Sequence, residues 1–175
     1  MESEQREEFA RLESQALRLL HDEPSVLSLL MVPSFEDPQL VAVRETARKV
    51  PEVIWRRWRR GLDREKYRTP VERLRHPREI APLIESRSAG LDANWLSNAR
   101  NDLQSLRIPA FSVSDQTGLD GTAFGLRANL GSSSSHFRWW QEGPPEWRPM
   151  ALWFRETWTE LTSRCNPSGS PDDGR

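Results

Sequence analysis

The sequence predicts an α+β fold in which about five to six strands form an antiparallel sheet with helices packed on one face. Strand-like segments cluster in two groups, and the short, turn-rich gaps within each group favour antiparallel pairing. Apolar residues recur at three- and four-residue spacing near both ends of the chain, as in amphipathic helices. Five of the eight tryptophans lie within residues 136–164, where the pattern indicates a strand, a proline corner and a helix.

The first half of the chain begins with a predicted helix and continues with three predicted strands. Residues 2–20 place their apolar side chains on one helical face, and Pro24 lies beyond that helix as a residue that cannot continue it. Residues 25–33 are a short apolar run between turn residues, which is typical of a strand buried on both sides. Residues 39–50 alternate as a half-buried strand with one wet face, and residues 52–60 follow as its hairpin partner.

Two helices separate these strands from a second group in the other half. A capping box at residues 69–72 begins a short helix, and residues 91–109 form a longer one that ends at a proline. Residues 111–130 are predicted to be a hairpin with an Asp-Gly turn, and residues 136–140 the next strand after a flexible serine loop. An apolar stripe over residues 147–161 predicts a final helix lying on the sheet.

Length and composition fit a single domain over residues 1–165, followed by a disordered tail at 166–175. The chain of 175 residues is 36% apolar and 29% charged, with a formal net charge of −1. Cys165 is the only cysteine, which excludes an internal disulfide and fits a reducing compartment. No apolar run approaches the ~18–20 residues of a membrane span, and the acidic N-terminus does not resemble a signal peptide. We therefore expect a cytoplasmic protein.

The sequence contains no motif for a catalytic, cofactor or metal site. His21, His76, His136 and Cys165 share no ligand spacing, and the serines at 132–135 lack the Gly-x-Ser-x-Gly elbow of a nucleophile. The glycine spacing fits neither dinucleotide nor phosphate loops. We expect no cofactor, no metal and no enzymatic activity. The alternative is an enzyme whose site is assembled from distant residues, which would need a pocket with perturbed titratable groups.

Basic residues concentrate in residues 44–79, which carry thirteen Arg or Lys against six Asp or Glu. The first 25 residues carry the opposite excess, seven acids against three arginines. Residues 54–60, IWRRWRR, interleave aromatic and guanidinium groups, so strand alternation places one tryptophan among arginines on the outer side. Arginine and tryptophan are enriched in binding hot spots. The predicted partner-binding residues are Arg44, Arg48, Arg56, Trp58, Arg60, Arg138, Trp140 and Trp153.

Three interpretations of these residues are open. They form a solvated face paired with the acidic N-terminal helix, a surface for another protein, or a nucleic-acid site that uses the basic 44–79 region. A nucleic-acid site predicts affinity that falls steeply with salt. We favour a non-enzymatic protein-binding function. The net charge is near zero, so the chain as a whole is not attracted to nucleic acid or to a membrane surface. The chain has two lysines against 23 arginines, and this scarcity of lysine also argues against nucleic acid.

Four short motifs of this sequence support a resemblance to other small proteins. Asp-Gly-Thr at 120–122 opens a strand, Trp-Trp at 139–140 closes the next one, and Pro-Glu-Trp at 145–147 precedes a helix, while Met-Val-Pro-Ser-Phe lies at 31–35. Through these motifs, residues 120–164 resemble the C-terminal part of uncharacterised bacterial α+β proteins, some considered candidate immunity proteins of contact-dependent toxin systems. The resemblance implies no known catalysis. It also implies that the partner is another protein, such as a toxin encoded nearby.

Overall fold

The computed structural model describes residues 2–21, 24–68, 81–110, 112 and 120–166. Its strands are β1 (Leu27–Pro33), β2 (Gln39–Glu45), β3 (Pro51–Trp58), β4 (Ile84–Gly90), β5 (Thr122–Leu130) and β6 (Ser133–Trp140). Its helices are α1 (Glu2–Leu20), α2 (Arg60–Arg68), α3 (Ala93–Ser105) and α4 (Arg148–Cys165), with a 3-10 turn at Pro145–Trp147 before α4.

The strands form one antiparallel sheet in the order β4-β3-β2-β1-β5-β6. The register places Trp55, Val41, Leu29, Leu126 and Phe137 side by side in a row across β3, β2, β1, β5 and β6. This row lies on what we call the main face of the sheet. Successive residues of a strand point to opposite sides, so the two neighbouring rows belong to the opposite side, which we call the second face.

Helices α3 and α4 cover the main face. Phe154 of α4 is almost fully buried, and its ring meets Trp139 edge-on at 5.3 Å and Phe124 at 5.5 Å between centroids. Edge-to-face contacts of this kind add to the free energy gained by burying large rings. Leu96 of α3 and Trp147 before α4 join the same cluster. A strand and a helix therefore meet across the proline corner, as the tryptophan-rich segment predicts.

Helix α1 covers the second face where it runs over β2 and β3. The buried residues of this contact are Leu12, Ala16, Leu20, Leu40, Ala42 and Trp58. The predicted α+β class and antiparallel sheet are confirmed, but helices lie on both faces of the sheet rather than on one. The reason is that residues 40–43 of β2 are all buried, so β2 needs a covering layer on each side instead of having one wet face.

A buried carboxylate fixes the junction between β3 and α2. The predicted strand over residues 52–60 ends at Trp58, whose indole N–H donates to Asp63 Oδ2 at 2.8 Å. The backbone N–H of Leu83 donates to the same oxygen at 2.9 Å, and Lys66 Nζ lies 3.2 Å from Oδ1. Asp63 and Trp58 are both fully buried. The expectation that one tryptophan of this strand points outward is therefore wrong.

Two elements in the first two thirds of the chain were not predicted from the sequence pattern. Only Arg59 separates the end of β3 from the start of helix α2, and β4 pairs along β3 as an edge strand, with Trp58 opposite Ile84. Helix α3 begins as predicted, since Asp92 accepts from the backbone N–H of Asn94 at 2.7 Å. The helix predicted to start at residues 69–72 lies outside the described residues.

The pairing of β5 differs from the predicted hairpin over residues 111–130. Strand β5 has β1 on one edge and β6 on the other, so the Asp-Gly pair before it is not a hairpin turn, and most of the predicted first arm lies outside the described residues. The hairpin instead joins β5 to β6 through Gly131 and Ser132. Gly131 has φ 67°, the positive value that a two-residue turn requires, so β6 begins at Ser133 within the predicted loop.

The described part of the chain ends shortly after α4, and of the predicted tail over residues 166–175 only Asn166 belongs to it. None of the described helices combines the length and the apolar character that crossing a membrane would require.

Replacing Trp58 by Phe should destabilise the fold, because the ring stays apolar while Asp63 loses one of its buried donors. We expect the free energy of unfolding to fall by roughly 2 kcal/mol, the scale of a hydrogen bond to a charged group. Urea unfolding followed by circular dichroism measures it. Trp153→Phe, at a half-buried position, is the control and should cost less than about 1 kcal/mol. Equal losses in both variants would contradict this role of Asp63.

Candidate functional site

Most of the arginines predicted to bind a partner hold the fold together. Arg44 Nη2 lies 2.9 Å from Glu52, on the neighbouring strand. Arg56 donates to the carbonyl oxygens of Leu19 and Leu20 at 3.0 and 3.2 Å, where a positive charge suits the C-terminal end of α1. These side chains are therefore committed to contacts within the chain.

Further arginines of the basic region bind at the β1–β2 loop, residues 34–38. Arg60 donates to the carbonyl oxygen of Pro33 at 2.8 Å and also bonds that of Glu36. Arg57 forms an ion pair with Asp37 at 3.0 Å. Arg60 also lies 3.6 Å from Glu13 of α1, so pairing with the acidic helix occurs at this point. Within residues 44–68, the described part of the basic region, the structure does not assemble the arginines into one exposed surface.

The described helices leave the second face uncovered where it runs over β5 and β6. We call this surface the open face and define it by Arg127, His136, Arg138 and Trp140. The first three side chains are exposed and the tryptophan is half-buried. The register sets Arg127 opposite His136, while Arg138 and Trp140 follow on the same side of β6. Arg138 and Trp140, both predicted to be partner-binding residues, thus share the side of β6 that is turned away from the main core.

The open face concentrates positive charge, and no carboxylate of the described residues forms an ion pair with it. Within the described residues, neither Arg127 nor Arg138 forms an ion pair. His21, just beyond α1, borders this surface. Burial and then the positive charges of Arg127, His136 and Arg138 hold the pKa of His21 below its ordinary value. The guanidinium groups of Arg127 and Arg138 would therefore favour a bound anionic group.

Trp140 adds an aromatic surface at one end of the open face. It belongs to neither of the two buried clusters among the described residues. Its ring lies against Gly121, whose backbone is anchored to the β1–β2 loop. Ser34 N–H donates to the Gly121 carbonyl at 2.8 Å, and Gly121 N–H donates to Ser34 Oγ at 3.1 Å. The next loop residue, Phe35, is 78% exposed, a feature that sequence reasoning missed.

The remaining predicted residues lie elsewhere. Trp153 of α4 is half-buried and packs against the main-face cluster, on the opposite side of the sheet from Trp140. Arg48 is exposed in the turn between β2 and β3. The structure thus brings Arg138 and Trp140 together and adds Arg127, His136 and His21. Arg127 and the two histidines were not among the predicted partner-binding residues, and the contribution of His21 depends on where α1 ends.

The described residues show neither a cluster of metal ligands nor a grouping of side chains with shifted pKa values. They contain no group of three or more His, Cys, Asp or Glu side chains that could hold a metal ion. A hydrogen bond from Ser88, and then Arg44, lowers the pKa of Glu52, while burial raises the pKa of Cys165. These two groups lie on β3 and at the end of α4, far apart in the chain from His21. His76 lies outside the described residues.

Comparisons with protein-family models, with curated proteins and with solved structures found no match to this chain. Any inference about function therefore starts from the open face.

Gly121→Ala should disturb Trp140. An added Cβ would lie 2.7 Å from Cζ2 of Trp140 and closer still to the amide of Gln141, so both side chains must move. We expect altered tryptophan fluorescence and a loss of roughly 1–3 kcal/mol, typical of overpacking. Gly61→Ala is the control because its Cβ would meet nothing within 4 Å. Unchanged fluorescence in G121A would contradict the contact between Gly121 and Trp140.

The stability of the fold should depend on pH through His21. Its folded-state pKa lies below the ordinary 6.5, so the unfolded chain takes up the proton first as the pH falls. The free energy of unfolding should therefore decrease below about pH 6.5. His21→Gln should show a smaller decrease. Urea unfolding of both proteins near pH 7 and near pH 5 measures the difference, and equal decreases would contradict the assignment.

Proposed function

We propose that this chain is a non-enzymatic binding protein that holds another protein on its open face. The observation that carries the proposal is a pair of exposed arginines, Arg127 and Arg138, that form no ion pair within the described residues and lie on the same surface as Trp140. Arginine and tryptophan are the residues that most often dominate binding energy at protein interfaces.

Other arginines of the chain form ion pairs, whereas these two do not within the described residues, and this difference supports a binding surface over a merely solvated one. Arg57, Arg100 and Arg155 each form an ion pair with a carboxylate, as do several more. Arg127 and Arg138 are instead grouped with other cationic or titratable side chains. Trp140 lies beside them and would bury a large amphipathic ring in a complex.

Protein is favoured over nucleic acid because several arginines within residues 44–68, the described part of the basic region, are engaged within the fold. The side chain of Arg44 forms an ion pair with an acid of the chain, and those of Arg56 and Arg60 donate to backbone carbonyls. Trp58 is fully buried and cannot stack on a base. The net charge of −1 also provides no general attraction to phosphate backbones.

The family resemblance suggests the biological setting of the partner. On that basis we propose an immunity or accessory role towards a protein encoded nearby, such as a toxin. A basic open face suits an acidic surface on that partner rather than a basic nuclease. We place the encounter in the cytoplasm, because Cys165 is a free, buried thiol, as expected in a reducing compartment.

Reversing the charges of the open face should abolish partner binding. The wild-type chain, the double variant R127E/R138E and the control R48E/R148E are used to capture proteins from the native host. The control reverses two exposed arginines away from the open face, so the net-charge change is matched. The captured protein is then purified and titrated by calorimetry. We expect affinity to fall at least ~100-fold for R127E/R138E and less than ~3-fold for the control.

Two results would contradict the proposal. One is that no protein is retained by the wild-type chain. The other is that both double variants lose the partner equally, since binding would then follow net charge and not the open face. Circular dichroism of each variant shows that the comparison is made between folded proteins.

A further inference from the structure

We infer that the partner binds by strand addition, in which an extended segment of the partner pairs antiparallel with the outer edge of β6 as a seventh strand of the sheet. The side chains of this segment alternate, with carboxylates on the open face and apolar groups on the main face. The inference rests on the proposed function and adds the mode of recognition and the chemical pattern of the segment.

The outer edge of β6 carries backbone groups that no described strand uses. β6 lies at one end of the sheet, and its pairing with β5 is uninterrupted over its whole length. The N–H of Gln141 donates to the carbonyl of Thr122, so these two residues form a hydrogen-bonded pair. Because such pairs alternate in an antiparallel ladder, the backbone N–H and C=O groups of Ser134, His136 and Arg138 point away from β5. Within the described residues these groups have no backbone partner, as an added strand requires.

The opposite edge of the sheet, β4, is less suited to an added strand because its charged side chains are engaged within the chain. Glu85 lies 3.5 Å from Arg59. Arg87 bonds Asn166, and its guanidinium lies 5.6 Å from the ring centroid of Trp55. The charged side chains of β6 instead form no ion pair within the described residues, so the observations favour the β6 edge.

The side chains along β6 define the pattern of the added strand. On the open face, His136 and Arg138 are two residues apart, roughly 7 Å along the strand, which is also the spacing of alternate side chains in an extended segment. Carboxylates at that spacing can accept from the imidazole and, in bidentate form, from the guanidinium. On the main face, Phe137 is half-buried, 5.6 Å between ring centroids from Trp147, and leaves part of its ring for an apolar side chain.

The charge of the open face disfavours a second copy of this chain as the added strand. Pairing of β6 with itself about a two-fold axis would gather Arg127 and Arg138 of both copies on one continuous surface, and like charges facing each other across strands are destabilising. A segment with carboxylates at alternate positions makes the same backbone hydrogen bonds and is attracted by these guanidinium groups. The charges therefore select an acidic strand of another protein.

A short peptide tests strand addition on the full chain. The probe is acetyl-TEVEVET-amide, and its control is acetyl-TEEEVVT-amide, which has the same composition and charge without the alternation. We expect the alternating peptide to bind at least about tenfold more tightly in an NMR titration, because only this order presents every carboxylate to one face of the sheet. Equal affinity for the two peptides would overturn the inference.

N-methyl groups distinguish backbone pairing from attraction between charges. In an antiparallel added strand, the glutamates lie opposite His136 and Arg138 and exchange backbone hydrogen bonds with them, while the valine amides point away. Methylation of two glutamate amides of the alternating peptide should weaken binding at least about tenfold, and methylation of its two valine amides less than about threefold. Equal effects, or the reverse order, would contradict antiparallel strand addition.

Amide hydrogen exchange reports on the edge itself. In the free chain, the amides of Ser134, His136 and Arg138 should exchange at least about tenfold faster than those of Phe137 and Trp139, which point towards β5. The alternating peptide should slow the first set and leave the second set unchanged. Slow exchange of the outer amides in the free chain would overturn the inference, because the edge would then already be occupied.

A proline on the outer edge provides a matched pair of variants. H136P and H136A both lose the imidazole, but only proline removes an outward N–H, at an edge position where proline is tolerated. We expect H136P to bind the alternating peptide at least about tenfold more weakly than H136A, and equal affinity would contradict the inference. Circular dichroism verifies that both variants are folded, and the methylated peptides decide the question if H136P is not.

The captured partner separates this inference from the proposed function. If the partner depends on R127E/R138E but leaves the exchange of the outer amides of β6 unchanged, strand addition fails and the proposed function stands. If R127E/R138E retains the partner as well, both fail. A dimer of the free chain in which the outer amides of β6 are protected would overturn the choice of another protein as the source of the strand.

Discussion

The packing of α1 on β2 and β3 determines which side chains of the second face meet solvent. Its apolar stripe, with Leu12 and Leu20, covers the apolar residues of the second face, which include Leu40 and Trp58. Without this helix the sheet would expose those residues to water, at a cost of about 25 cal/mol for each Å². Arg56 secures the arrangement by donating to the last carbonyl groups of α1, where the helix has no donors of its own.

A single row of residues shows what this packing does to the second face. The register places Arg56, Leu40, Leu30, Gly125 and Arg138 side by side across five strands. At one end, under α1, the guanidinium is occupied by helix carbonyls. At the other end, beyond the reach of the helix, the guanidinium has no ion pair among the described residues. The same residue type therefore stabilises the fold in one half of the face and is available for a partner in the other half.

Alternation and helical spacing were enough to predict the α+β class, strands β1 to β3 and helices α3 and α4. They could not predict β4, whose sequence IESRSAG lacks an apolar period because it lies largely exposed at the sheet edge. They also could not show that α1 lies on the second face, since alternation reveals two faces but not what covers each. For this reason Trp58 was expected outside, although it is buried against α1 and bonded to Asp63. Arg138 and Trp140 were predictable from their strand, whereas the meeting of His21 with Arg127 and His136 depends on register and on where α1 ends.

Arginine-selective modification by phenylglyoxal, read out by mass spectrometry, tests most directly whether α1 divides the arginines into structural and available groups. In the free protein, Arg127 and Arg138 should react fast, while Arg56 and Arg60 should react slowly because backbone carbonyls hold them. Addition of the partner should protect Arg127 and Arg138 and leave Arg148 reactive. Fast modification of Arg56 and Arg60 in the free chain, or protection of Arg148 with Arg127 and Arg138 unaffected, would contradict the account.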